Sequence, residues 1–117
     1  MNVTIYHNPR CYKSRQTLEL LKARGLSPTI IEYLESPPDT GTLTTILKKL
    51  GLEPRHLMRT NEAPYTELGL SSTDLSDDDL TAAMVDNPIL IERPIVVVGE
   101  RAVIGRPPEN IAQLFAE

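Results

Sequence analysis

The sequence holds one cysteine, Cys11, in the segment His7-Asn8-Pro9-Arg10-Cys11-Tyr12-Lys13-Ser14-Arg15. That segment reads as the turn from a strand into a helix. Backbone N–H groups at a helix start are unpaired and the dipole end is positive, so a thiol placed there is biased toward the nucleophilic thiolate. Arg10, Lys13 and Arg15 add positive charge, and Arg15 lies one helical turn beyond the cysteine. Ser14, three residues on, can donate a hydrogen bond toward the sulfur. A lone cysteine is more often a small buried hydrophobe. Cys11 instead sits in a polar, cationic turn, away from any apolar stripe. His7, four residues earlier, is either a group that tunes the thiol or a solvent-exposed loop residue. His56, in a short helix, reads as surface.

A single cysteine forms no internal disulfide and no four-thiolate metal site. A dithiol oxidoreductase needs Cys-x-x-Cys, and here serine takes the second place in Cys11-Tyr12-Lys13-Ser14. A phosphatase-type loop needs Cys-x-x-x-x-x-Arg, and position 17 is Thr. Arg59, Arg93 and Arg106 each lie at a junction between elements. Guanidinium groups pair bidentately with tetrahedral oxyanions, so three of them near a thiolate make an oxyanion site. Taken singly, each arginine reads equally as a surface ion-pair partner.

The elements that must position these residues can be read from periodicity. Val3–Tyr6 is a short β-rich run that His7-Asn8-Pro9-Arg10 breaks. Tyr12 to Arg24 is an amphipathic helix on Leu18, Leu20 and Leu21, closed by Gly25. Thr29 to Leu34 is a second strand, so the first forty residues read β-α-β. Leu43, Ile46, Leu47 and Leu50 form a helical stripe over 42–50 that Gly51 stops. A short helix over 53–59 enters through Pro54, and 65–68 is ambiguous. Ser76 followed by three acids caps a helix that ends before Asn87-Pro88. Pro94 to Val98 is a nearly continuous apolar run, as in a strand buried on both faces. Arg101–Ile104 returns as its hairpin partner across Gly99-Glu100, and a last helix carries Ile111, Leu114 and Phe115. The predicted fold is α/β and thioredoxin-like: a four-stranded mixed sheet flanked by helices, in one domain over 1–117, with a helical insertion at about 40–87. Arg93-Pro94 is where such a fold places a cis peptide opposite the first helix, and X-Pro bonds are where cis peptides occur.

The chain has 117 residues, enough for one domain. It is 40% hydrophobic and 24% charged, which excludes disorder and fibrous classes. No run approaches the roughly 18 apolar residues of a membrane span. The start, Met1-Asn2-Val3-Thr4, lacks a charged region followed by an apolar stretch, so a cytoplasmic location is expected. A net charge of -4 and scarce aromatics argue against nucleic-acid binding. With no apolar surface stripe evident, a monomer is expected.

Four segments together resemble the glutaredoxin-coupled arsenate reductases. They are His7-Asn8-Pro9-Arg10-Cys11-x-x-Ser14-Arg15-x-Thr17-Leu18; Leu57-Met58-Arg59-Thr60-Asn61 with Pro64-Tyr65-x-Glu67-Leu68-Gly69-Leu70; Asn87-Pro88-Ile89-Leu90-Ile91-x-Arg93-Pro94-Ile95-Val96-Val97; and Arg106-Pro107-x-Glu109. The resemblance spans essentially the whole chain. It implies that Cys11 attacks arsenate while Arg59, Arg93 and Arg106 hold the oxyanion; the reading of the residues themselves adds Arg15 to the oxyanion set and His7 and Ser14 as groups acting on the thiol. It implies no bound cofactor, glutathione as co-substrate and glutaredoxin as partner. The segment departs from well-studied members at Tyr12-Lys13, where they carry Gly-Thr, and that change bears on access to the sulfur. Two other readings fit a lone reactive cysteine: a non-enzymatic redox regulator or adaptor, and a monothiol glutathione-dependent transferase.

Overall fold

The computed structural model describes residues 1–116, and the chain forms two compact units. The first comprises Met1–Ser36 and 93–116. Its strands are β1 (Val3–His7), β2 (Thr29–Glu32), β3 (Ile95–Val98) and β4 (Arg101–Ile104), in the order β2-β1-β3-β4. β1 pairs parallel to β2 with Ile5 opposite Ile30, and antiparallel to β3 with Ile5 opposite Val96. β3 and β4 pair antiparallel. The sheet is therefore the four-stranded mixed sheet flanked by helices that the sequence predicts.

Strand β1 alternates buried and half-buried residues, with Val3, Ile5 and His7 facing inward. Helix α1 (Tyr12–Ala23) buries Leu18 and Leu21 against that face. Val96, Ile111 and Leu114 complete the cluster. Burying a side chain of this kind contributes about 1.5–3 kcal/mol. Leu20, expected in the stripe, lies on the open side of α1. Several elements differ from expectation: β2 stops at Glu32 rather than Leu34, and the short helix expected over 53–59 is confined to Pro54–Leu57. β1 continues through His7, because that residue still pairs with Glu32 of β2. The C-terminal helix is a 3-10 segment, Pro108–Leu114, whose three-residue repeat turns Ile111 and Leu114 to the same side.

The second unit, Pro37–Glu92, is helical. It holds α2 (Thr40–Leu50), α3 (Pro54–Leu57), α4 (Ala63–Glu67), α5 (Asp77–Asp86) and a 3-10 turn at Pro88–Leu90. The ambiguous stretch near Tyr65 is thus helical in its first part. Asp39 caps α2, its carboxylate accepting the Thr42 N–H at 2.7 Å. Gly51 ends α2 at φ 69, the left-handed conformation glycine adopts without a Cβ penalty. Ser76 and Asp79 form a reciprocal capping box at α5. The unit spans 37–92. Its closing residues pair back on its middle: Arg59 N–H donates to the Leu90 carbonyl at 2.7 Å, and Glu92 N–H to the Leu57 carbonyl at 2.9 Å. No helix among the described residues is long and apolar enough to cross a membrane.

One glycine is demanded by a close approach. A Cβ on Gly105 would stand 2.6 Å from Thr17 Oγ1 and 2.9 Å from Pro94 Cγ. The Gly105 N–H donates to the Pro94 carbonyl at 2.9 Å, and the Thr17 hydroxyl lies 3.3 Å from the Gly105 carbonyl. This contact seats the exit of β4 against α1. Gly105→Ala is expected to lower unfolding stability by about 1–3 kcal/mol through overpacking. Denaturant unfolding measures it, and an unchanged midpoint would contradict the close-approach account.

Candidate active site

Cys11 is the N-cap residue of α1, with extended backbone at φ -92 and ψ 122. Its N–H donates to the Asn8 carbonyl at 3.0 Å, and its carbonyl accepts the Arg15 N–H at 3.0 Å. The turn is held from inside as well: Arg10 N–H donates to Asn8 Oδ1 at 3.0 Å. The thiol is therefore fixed at the start of the helix rather than carried on a loose loop. It is half-buried.

Three groups favour the charged sulfur, and one of them touches it. Arg106 Nη1 lies 3.6 Å from Sγ, and the same nitrogen donates to the Arg93 carbonyl at 3.2 Å. The Arg93 guanidinium and the Ser14 backbone N–H favour the charged form of the thiol. Burial pushes the thiol up. The Ser14 N–H, Arg93 and Arg106 outweigh burial and hold Cys11 below its ordinary value. Both arginines precede cis prolines, at Arg93-Pro94 and Arg106-Pro107.

Ser14 acts differently from expectation. It is its backbone N–H, not its hydroxyl, that lowers the thiol. The hydroxyl is committed beneath the turn, accepting the Asn8 N–H at 3.1 Å and bonding to His7 Nδ1 at 2.5 Å. His7 is 6% exposed, so the reading of a solvent-exposed loop residue is corrected. Burial, the largest influence, lowers its pKa below the ordinary value. Glu32 opposes that shift, and Arg15 and Lys22 reinforce it. His7 Nδ1 and the Ser14 hydroxyl share this buried hydrogen bond.

The remaining candidates make other contacts. Arg10 and Lys13 are exposed. Arg15 turns back, its Nη1 donating to the Pro9 carbonyl at 3.0 Å and its guanidinium 5.8 Å from the Tyr12 ring centre. Arg59 belongs to the helical unit, where Glu92 lies 2.7 Å and Glu62 3.3 Å from its guanidinium. Burial there opposes its charge, and Glu92 with Glu62 restores it, raising its pKa. That carboxylate pair was not foreseen from the sequence; acids three residues after and directly before the arginine segments were its only signal. Among the described residues, no group of three or more His, Cys, Asp or Glu side chains could hold a metal ion.

The His7 environment sets a pH dependence. Its folded pKa is below its unfolded value, so between the two the unfolded chain binds more protons and stability rises with pH. The stabilisation is present above about 6.5 and is lost as pH falls below that value. Thermal unfolding of the native chain is expected to weaken from about pH 7 to about pH 5 more steeply than that of His7→Gln. Equal slopes in the two proteins would contradict a buried neutral ring.

The ArsC family model matches residues 6–114. The chain is 54% identical over 113 residues to the Escherichia coli K12 protein named uncharacterized protein YfgD, covering 96% of this chain and 95% of that one. It is 47% identical over 110 residues to an arsenate reductase of Neisseria meningitidis serogroup A, covering 93% of this chain and 94% of the relative. A solved arsenate reductase from Vibrio cholerae aligns with a TM-score of 0.94 at 51% identity, covering 97% of each chain. Similarity of this extent takes in the Cys11 turn and every arginine segment, and the chain belongs to the ArsC family.

Proposed function

We propose that this protein reduces arsenate to arsenite through the Cys11 thiolate, with glutathione and glutaredoxin as external reductants. The observation that carries this reading is the sulfur held at the α1 start by the Ser14 N–H, Arg93 and Arg106. Such an array activates a nucleophile and offers two guanidiniums to an oxyanion beside it. The arsenate reductases among its relatives supply the substrate class. Arg59 enters on its segment alone, and its guanidinium is already engaged by Glu62 and Glu92.

The steps balance as follows. The Cys11 thiolate attacks arsenic; an S–As bond forms, an As–O bond breaks, and the departing oxygen leaves as water after taking a proton. Arg93 and Arg106 stabilise the added negative charge in the transition state. The glutathione thiolate then attacks Cys11 Sγ. An S–S bond forms, the S–As electron pair stays on arsenic, and arsenite departs. Arsenic has gained two electrons, and the two thiols have lost them in forming one disulfide. A glutaredoxin thiolate attacks the glutathione sulfur of the mixed disulfide and takes the glutathionyl group, which releases the Cys11 thiolate. His7, neutral and bonded to Ser14, braces the turn that aims the Ser14 N–H at the sulfur.

In a coupled assay with glutathione, glutaredoxin, glutathione reductase and NADPH, arsenate-dependent NADPH loss is expected and is abolished in Cys11→Ser. Arg93→Ala or Arg106→Ala is expected to lower kcat/KM for arsenate about 10²–10³-fold. Phosphate, of the same shape and charge, is expected to inhibit competitively. Retained reduction in Cys11→Ser would overturn the mechanism. NADPH loss at background while Cys11 is still readily glutathionylated would leave the reactive thiol standing and remove arsenate as its substrate.

A further inference from the structure

The two carboxylates on Arg59 come from backbone that is itself fixed. Met58 and Ile91 form an antiparallel bridge, flanked by the Arg59 N–H on the Leu90 carbonyl at 2.7 Å and the Glu92 N–H on the Leu57 carbonyl at 2.9 Å. That pairing sets Glu92 beside Arg59, and its carboxylate lies 2.7 Å from Nη1. Glu62 stands at the N-cap of α4, yet its side chain makes no capping bond and turns to Arg59 Nε at 3.3 Å instead. The side chains of Arg59, Glu62 and Glu92 are 20%, 26% and 28% exposed. Exposed ion pairs are screened and weak, whereas charges withdrawn this far from water keep more of their mutual attraction.

This cluster exceeds what a structural brace requires. One acid would neutralise the guanidinium, and the second leaves the group net negative, with the sign that an oxyanion carries. A guanidinium grips a tetrahedral oxyanion through a pair of nitrogens, Nε with Nη2 or Nη1 with Nη2. Each of those pairs includes a nitrogen that already meets a carboxylate. An oxyanion that takes Arg59 bidentately therefore has to exchange against Glu62 or Glu92, and it approaches against the surplus negative charge.

We propose that Glu62 and Glu92 are resident competitors for Arg59, and that this competition sets how tightly the protein takes a tetrahedral oxyanion. The proposal rests on reading this chain as an arsenate reductase to whose oxyanion site Arg59 contributes. Glu62 and Glu92 then determine affinity without touching the reacting atoms, and they act through the one arginine they hold.

Glutamine keeps the acceptor oxygen and removes the charge, so the Glu→Gln changes separate competition from bracing. Inorganic phosphate is the probe. Calorimetric titration of the full chain is expected to show phosphate bound about three- to tenfold more tightly by Glu62→Gln/Glu92→Gln than by the native protein. KM for arsenate is expected to fall by the same factor, with the change in KM rather than kcat. Adding Arg59→Gln to the double variant is expected to erase the gain. Glu62→Gln alone leaves the pairing of 57–59 with 90–92 intact, and it is expected to give part of the gain if the double variant fails to fold. A structural brace predicts the opposite direction, a raised KM and weaker phosphate binding. Phosphate affinity unchanged or weakened in the folded glutamine variants would overturn the proposal, and so would a gain that survives Arg59→Gln. Tighter phosphate binding by variants of a protein that fails to reduce arsenate would uphold the competition and remove the arsenate reading instead.

Discussion

A sulfur atom withdrawn from water resists ionisation, and at Cys11 three donors reverse that resistance. The Ser14 N–H, Arg93 and Arg106 hold the thiol below its ordinary value in spite of burial, and Arg106 Nη1 stands 3.6 Å from Sγ. Much of the first unit exists to bring those donors together. The parallel β1–β2 pairing launches α1 from the end of β1, which puts Cys11 at the helix start. The β3–β4 hairpin begins two residues after Arg93 and ends two residues before Arg106, so the pairing of Ile95 with Ile104 brings the two arginines side by side. The Arg106 guanidinium bonded to the Arg93 carbonyl is the local consequence.

The supports beneath the sulfur are as specific as the donors above it. Ser14 is fully buried, and its hydroxyl spans the Asn8 N–H and His7 Nδ1. That arrangement leaves its backbone N–H as the group facing the thiol. Thr17, one turn further, closes against Gly105, and only a residue without a side chain allows the approach. Helix α1 thus serves three purposes along its length: charge at its first turn, registry against β4 at its second, and core packing through Leu18 and Leu21. In the helical unit, Arg59 is fixed by different means, a bridge between Met58 and Ile91 and two carboxylates on its guanidinium.

Most of the fold was legible because its signals are local. Alternation in Val3–Tyr6, the Leu43-Ile46-Leu47 stripe, Gly51, and the Ser76 cap each mark their element within a few residues. The errors came where tertiary context decides. His7 extends β1 because Glu32 lies opposite it, a pairing that no short window reveals. The 3-10 character of Pro108–Leu114 depends on packing under the sheet. At the site, Cys11 with Arg93 and Arg106 was readable from motif and topology. The cations adjacent to Cys11 in sequence were misleading, since Arg15 bonds to Pro9 and the effective charges arrive from residues more than eighty positions away. The exchange of roles between the Ser14 hydroxyl and its N–H depends on the depth of one side chain, which sequence spacing does not encode.

The most direct test of this arrangement is the thiolate titration of Cys11 by ultraviolet absorbance, in the native chain and in Arg93→Ala and Arg106→Ala. The native midpoint is expected below the ordinary cysteine value of about 8.5, and each arginine substitution is expected to raise it. A native midpoint at or above that value, unmoved by either substitution, would contradict the claim that these arginines hold the sulfur ionised.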